Sequence, residues 1–308
     1  MKQRGMALLT VLLLLAVMVA LAAVVTERWF FSFQYSLHLH QRLQGKWYAI
    51  GVENVAAGLL RLDAADDGLH THLSQRWATT GPRFPLEDAE LEVRINDAQA
   101  CFNLNALAAD DGARKIFTRL LELQEIEPAQ AHNVSAAVTD WMTDSDEASP
   151  GGAKDNEYAA YDPPYLTAAQ PLRHVSELRQ IRDVTPAVLA RLRPLACVLP
   201  EKNLSINLNT LTEEQWTLAA ALAEDASETE IRNWLAQRPA VGWETLEQAF
   251  AGLKPLAGQR RYLVLNSDYF SLRIAARMAD AGFRQESLLQ RKGGKVSVVM
   301  RYWEAEEE

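Results

Sequence analysis

From Met6 to Val25 the chain is apolar at every position except Thr10, and a basic stub, Lys2-Gln3-Arg4-Gly5, precedes the run. At about 1.5 Å per residue such a run crosses the roughly 30 Å hydrocarbon core of a bilayer as a helix, and Lys2 and Arg4 would hold its start on the cytoplasmic side. The pattern then changes from uniform to periodic. Phe30, Phe33 and Leu37, then Tyr48, Val52, Val55, Leu59 and Leu62, recur at spacings of three and four, which predicts an amphipathic continuation of the same helix. Gly45 is the place for a break, because an interior glycine costs a helix roughly 1 kcal/mol relative to alanine. The periodicity on both sides favours one continuous or gently kinked helix.

Alternation takes over between Leu86 and Asn96, where Leu91, Val93 and Ile95 interleave with Glu90, Glu92, Arg94 and Asn96. This is the period of a half-buried strand. It returns only near the C-terminus, at Ser271 to Met278, Arg284 to Gln290 and Val296 to Trp303. Between the last two, Gly293-Gly294 supplies the positive φ angles of a tight hairpin. Strands on both sides of a helical middle predict an α+β fold: a long N-terminal helix packed on an antiparallel sheet, with a large all-α insertion. The predicted boundaries are a leader at 1–5, a membrane helix at 6–25, a core of helix and first strand at 26–97, the insertion at 98–267 and the closing strands at 268–308.

The insertion carries an echo. Phe102-Asn103-Leu104-Asn105-Ala106-Leu107 is matched by Ile206-Asn207-Leu208-Asn209-Thr210-Leu211, each leading into a helical stretch, which predicts two related helical subdomains. Asn105 and Asn209 are expected to be structural, satisfying backbone N–H groups at helix starts. An Asn-Leu-Asn entry into small helices also resembles helix-hairpin-helix modules of DNA-binding proteins, but the glycine-rich hairpin and basic flank that grip phosphate are missing here.

Charge sharpens this. A net charge of −9 on 308 residues argues against nucleic acid as a partner and suits cation binding better. The two cysteines, Cys101 and Cys197, are compatible with one disulfide in an extracytoplasmic compartment or with two buried thiols. The N-terminal segment admits three mechanisms: a secretory signal cut near Ala20-Leu21-Ala22, a plain anchor, or a type IV pilin-like leader cut after Gly5 to leave Met6 as the mature N-terminus. The glycine between stub and apolar run, and the retained apolar length, favour the third.

The candidate chemistry lies between Asp140 and Tyr165. Asp140, Asp144, Asp146, Glu147, Asp155 and Glu157 cluster around a loop containing Gly151-Gly152, with Asn156 among them. Hard cations such as calcium take six to eight oxygens at about 2.3 to 2.6 Å, and a glycine-containing loop lets carboxylates and carbonyls converge. A solvated acidic loop is the alternative. No thiol or histidine is placed for zinc, and the ligand spacing of an EF-hand is absent. A membrane-tethered metal-dependent hydrolase would use the same block, but His132 and His174 are separated from it and read as ordinary satisfied residues.

Taken together, Arg4-Gly5-Met6-Ala7-Leu8-Leu9, Asp140-Trp141 with Asp144 and Asp146, Pro150-Gly151-Gly152-Ala153, Asp155 with Tyr158, Pro163-Pro164-Tyr165 and Val175-Ser176-Glu177-Leu178-Arg179 resemble the minor pseudopilin K family of type II secretion systems, over essentially the whole chain. The resemblance implies a non-enzymatic subunit with a pilin-like core, processed by the prepilin peptidase at Gly5 and methylated at Met6. It implies one or two calcium ions in the insertion, with Asp140, Asp144, Asp146, Asp155, Asn156 and Glu157 as candidate ligands. It implies an inner-membrane protein whose soluble part lies in the periplasm. Sister minor pseudopilins at the tip of a pseudopilus are the expected partners, with secreted substrate or the outer-membrane channel beyond them. Two residues sharpen the comparison. The fifth mature position, where most pilin-like proteins carry glutamate, is Thr10, as in the K family. Lys154 stands where the family commonly has an acidic residue, and a lysine cannot ligate calcium. A competence-type DNA-uptake pilin is the other assembly reading.

Overall fold

The computed structural model describes residues 3–80, 83–85, 89–278 and 281–304. Helix α1 runs unbroken over Gln3–Asp66, so the apolar run and the periodic segment are one rod. Gly45 does not break it. A Cβ at this position would lie 2.6 Å from the Cβ of Phe283, so glycine is what allows the helix to approach the sheet this closely. The residues of α1 that pack on the sheet are Gly45, Ala49, Glu53, Ala56, Leu60 and Asp63. This corrects the predicted face: Val55 and Leu62 point outward, 63% and 56% exposed. Large apolar side chains produced the periodicity, but the contact with the sheet is shared between small residues, Gly45, Ala49 and Ala56, and larger ones, Val52 and Leu60.

After α1 the carboxylate of Asp63 accepts hydrogen bonds from the backbone N–H groups of Arg76 and Trp77, which start the short helix α2 (Arg76–Thr79). Strand β1 (Arg83–Pro85), not anticipated from the pattern, pairs with β2 (Glu90–Asp97). Within the insertion, β3 (Phe102–Asn103) precedes α3 (Asp111–Leu123), α4 (Pro128–Met142), α5 (Asp155–Tyr158) and α6 (Pro186–Leu192), and β4 (Ala196–Cys197) returns parallel to β3. The second half repeats the plan. β5 (Ile206–Asn207) leads into α7 (Trp216–Leu222), α8 (Glu228–Ala236) and α9 (Leu246–Gly252), and β6 (Leu263–Val264) closes parallel to β5. One apolar cluster runs through both halves, with Phe102, Phe117 and Leu121 from the first and Leu208, Leu218 and Trp234 from the second.

The paired asparagines divide their labour differently from the expectation. Oδ1 of the first member caps the turn, accepting from Asn105 N–H at Asn103 and from Asn209 N–H at Asn207. The second member reaches across the fold. Asn105 bonds both the N–H and the C=O of Leu172, and Asn209 bonds both groups of Trp243. A side-chain amide thereby stands in for a strand partner, satisfying buried backbone groups that would otherwise be costly.

Strands β7 (Tyr269–Met278), β8 (Ala281–Lys292) and β9 (Lys295–Glu304) complete an antiparallel sheet of order β1-β2-β7-β8-β9. Gly293 and Gly294, at φ 59° and 73°, make the expected hairpin between β8 and β9. In β7, Phe270, Leu272 and Ile274 face α1, and with Trp77, Leu289, Ala49, Ala56 and Leu60 they form the core beneath the helix. The insertion leaves at the end of β2 and re-enters at the start of β7, which are adjacent and antiparallel. Its two ends are fastened by a buried network. Asp97 Oδ2 accepts from Ser267 Oγ, Thr210 Oγ1 and Asn207 Nδ2, and Arg291 Nη2 donates to Thr71 Oγ1 and Ser267 O. Burial pushes the Asp97 carboxyl up, against the pull of these bonds.

Candidate functional site

Met1 and Lys2 of the leader lie outside the described residues. Gly5 is helical, within the first turns of α1. Cutting after it would require that turn to unwind, which a glycine makes easier than any residue with a side chain except proline. Met6 and Thr10 are exposed on the rod, and α1 is, among the described residues, the helix long and apolar enough to cross a membrane. The exposure does not stop at bilayer length. Trp29, Phe30, Phe33 and Tyr35 are 77%, 60%, 65% and 73% exposed, well beyond Val25. Further along the rod, α1 and β2 frame a groove of about 670 Å3 lined by Trp47, Val52, Val55, Leu59, Trp77 and Val93.

Cys101 and Cys197 are joined in a disulfide beside the β3–β4 pair. The bridge ties the entry of the insertion to the end of its first half. Leu199, Ala98, Tyr269 and Leu288 pack around Cys197 where the insertion meets the sheet. His174 caps the turn at Ser176 through Nδ1 and lies against Tyr302 of β9, with ring centroids 4.5 Å apart and the rings tilted by 45°; His132 Nε2 meets the Pro150 carbonyl. Both are satisfied residues.

The acidic block is assembled on the C-terminal end of α4 and the loop after it. Trp141 in the last turn meets Tyr158 of α5 edge-on at 5.2 Å, and Tyr165 lies against both rings. Burial pushes the Tyr158 hydroxyl up to about 12, so it stays a neutral donor or acceptor at any ordinary pH. Around this aromatic floor the six candidate calcium ligands diverge. Asp140 is buried, and its two oxygens accept from Ser149 N–H and Ser149 Oγ. Asp144 and Asp146 are exposed. Asp155 accepts from the N–H and Oγ1 of Thr167, and these bonds hold its carboxyl below the ordinary value. Asn156 bonds the N–H of Glu157, and the Glu157 carboxylate lies 3.8 Å from Arg182.

Among the described residues, no three histidine, cysteine, aspartate or glutamate side chains converge where a metal ion could sit. The six candidate ligands are thus not gathered around one point, and a lysine lies on the carbonyls that a cation would seek. The reason is local. Asp140 and Asp155 are spent on backbone and hydroxyl donors, and the oxygens that do converge are those of Asp140 C=O, Thr143 C=O and Thr143 Oγ1, all around Lys154 Nζ. Sequence reasoning noted Lys154 only as a departure from a family pattern. That it is buried was not readable, since lysine flanked by acidic residues normally marks a solvated surface.

A second polar centre was missed altogether. Glu53, buried on the sheet-facing side of α1, accepts two hydrogen bonds from Arg301 at 2.8 Å each, one from Ser287 at 2.7 Å and one from Gln285 at 2.9 Å. The available signal was a glutamate within an otherwise apolar helical stretch.

Comparison with known proteins places this geometry. Two family models, both described as type II secretion system protein K, match residues 100–201 and 206–273, which are the two halves of the insertion. The type II secretion system protein K of Klebsiella pneumoniae is 41% identical, with 99% of each chain covered. That of Pectobacterium carotovorum is 37% identical over 98% of this chain and 97% of its own. A chain in the crystal structure of the GspK-GspI-GspJ complex from the type 2 secretion system of enterotoxigenic Escherichia coli superposes with a TM-score of 0.79 at 30% identity, covering 86% of this chain and 98% of that one. With its long N-terminal helix, its antiparallel sheet and its two-part helical insertion, the chain belongs to the type II secretion system protein K family, the minor pseudopilins of that machinery.

Proposed function

We propose that this chain assembles with sister minor pseudopilins at the tip of a periplasmic pseudopilus and acts there as a structural subunit without catalysis of its own. The observation that carries the reading is the surface of α1. Its apolar residues continue, uncovered, past the length a bilayer can shield, and neighbouring helices of the same kind would bury them. The solved complex of a relative with two further pseudopilins supports such partners. Two features favour the end of the fibre. The insertion is too bulky to repeat along a close-packed filament. Thr10 also lacks the carboxylate that, in most pilin-like proteins, pairs with the terminal amine of a neighbour within the membrane bundle, where a buried charge needs a partner.

In this reading residues 6–25 anchor the chain in the inner membrane with the remainder in the periplasm, the prepilin peptidase removes residues 1–5, and the new amine of Met6 is methylated. Secreted substrate or the outer-membrane channel would meet the insertion. Co-purification with the sister minor pseudopilins, followed by mass measurement of the intact assembly, tests the proposal. A complex of defined stoichiometry is expected; a monomer in every condition would overturn it.

A further inference from the structure

We infer that the Lys154 ammonium takes the place of a bound cation in this chain, so that the loop between α4 and α5 is held without calcium. Lys154 is 2% exposed, among the most buried charged residues of the molecule. An ammonium carries three N–H donors and no acceptor. Three acceptors surround it: Asp140 C=O at 2.6 Å, Thr143 C=O at 2.5 Å and Thr143 Oγ1 at 3.2 Å. Two of these are carbonyls at the C-terminal end of α4, where the negative end of the helix dipole favours a cation. A hard metal ion would seek the same oxygens, and the lysine reaches them from within the chain at no cost in association.

The surrounding loop is shaped to this arrangement. Gly152 lies so close to Asp140 that a Cβ there would come within 2.8 Å of the carboxyl carbon and nearer still to one oxygen. Arg182 donates to the Gly152 carbonyl, fixing the strand of loop that delivers Lys154. The Asp140 carboxylate is meanwhile turned to Ser149 on the opposite limb of the loop. Lysine and aspartate thus close the loop from its two sides, each on its own hydrogen-bond partners.

The test uses the full-length protein in detergent and is independent of where the subunit sits in a fibre. Wild type should contain no stoichiometric calcium by elemental analysis and should melt at the same temperature in chelator and in millimolar calcium. Lys154→Met, which keeps the length and removes the donors, should lower the Tm by several degrees, because the Thr143 carbonyl loses its partner and Asp140 C=O keeps only its longer bonds to Thr143. Lys154→Asp should also melt lower, and calcium should raise its Tm while leaving wild type unmoved. A calcium ion retained by wild type, a wild-type Tm that falls in chelator, a Lys154→Met variant that melts with wild type, or a Lys154→Asp variant indifferent to calcium would each overturn the inference. Should Lys154→Met fail to fold, the wild-type measurements decide it.

Discussion

At the scale of single residues, Glu53 is the buried charge with the fullest set of partners around its carboxylate. Burial pushes its carboxyl up, but the hydrogen bonds from Arg301, Ser287 and Gln285 and the Arg301 charge together outweigh that and hold it below the ordinary carboxylate value. A depressed folded value means that its contribution to stability is present above the unfolded value and is lost as pH falls through the folded one. Glu53→Gln should therefore flatten the acid side of the stability profile and lower stability at neutral pH by about 1 to 3 kcal/mol, since Arg301, which reaches solvent, loses only its best acceptor. Urea midpoints of wild type and variant across the acid range check this. Parallel profiles would refute it. The pair sits between helix and sheet where an apolar core would be expected, which sets the azimuth of α1 as well as its adhesion.

At the scale of elements, the disulfide and the asparagine pairs do related work on the insertion. Cys101 and Cys197 are 96 residues apart, so the bridge removes a large loop from the unfolded ensemble. By chain-entropy reasoning its loss costs about 2 to 4 kcal/mol. Cys101→Ser combined with Cys197→Ser should lower the melting temperature yet leave a folded insertion, because Asn103 still accepts from Leu199 N–H and donates to Glu201 C=O across the same seam. A melt unchanged by the double substitution would mean that the seam alone orders both states.

The elements differ in how far they could be read in advance. The hairpin at Gly293-Gly294 and the β2, β7, β8 and β9 strands were legible because each rests on local chemistry: φ > 0 and a period of two. The duplication was legible because its signature is a copied string. The packed face of α1 was not, since periodicity weights large apolar residues while close approach to the sheet places Gly45 against Phe283 and Ala49 and Ala56 in the core. The acidic block was legible as a cluster along the chain but not in space. Whether carboxylates converge depends on which backbone donors lie nearer, and Ser149 and Thr167 captured two of them.

At the scale of the whole molecule, one rod joins two environments, and its two ends make different demands. The upper part of α1 shares a core with the sheet, and the sheet in turn is joined to the insertion at Asp97, Ser267 and Arg291. The lower part is apolar, exposed and long enough to cross a membrane, as the proposed anchor requires. The proposed processing belongs to this scale, because a peptidase on the cytoplasmic face would cut only a chain already oriented across the membrane. Gly5→Leu should leave residues 1–5 attached, so that the mature protein is heavier by the mass of the leader while the periplasmic part folds normally. Intact-mass measurement decides, and a variant of normal mature mass would refute cleavage at this site.

The tight seat of Gly45 against Phe283 has a consequence in pointing accuracy. Between Gly45 and Met6 the rod extends about 60 Å at 1.5 Å per residue, so a tilt of one degree at that seat swings the N-terminus sideways by about 1 Å. Adding a single methyl group at residue 45 would rotate a lever whose far end must find its neighbours within a crowded bilayer. The smallest side chain on the helix is thus the one that aims it.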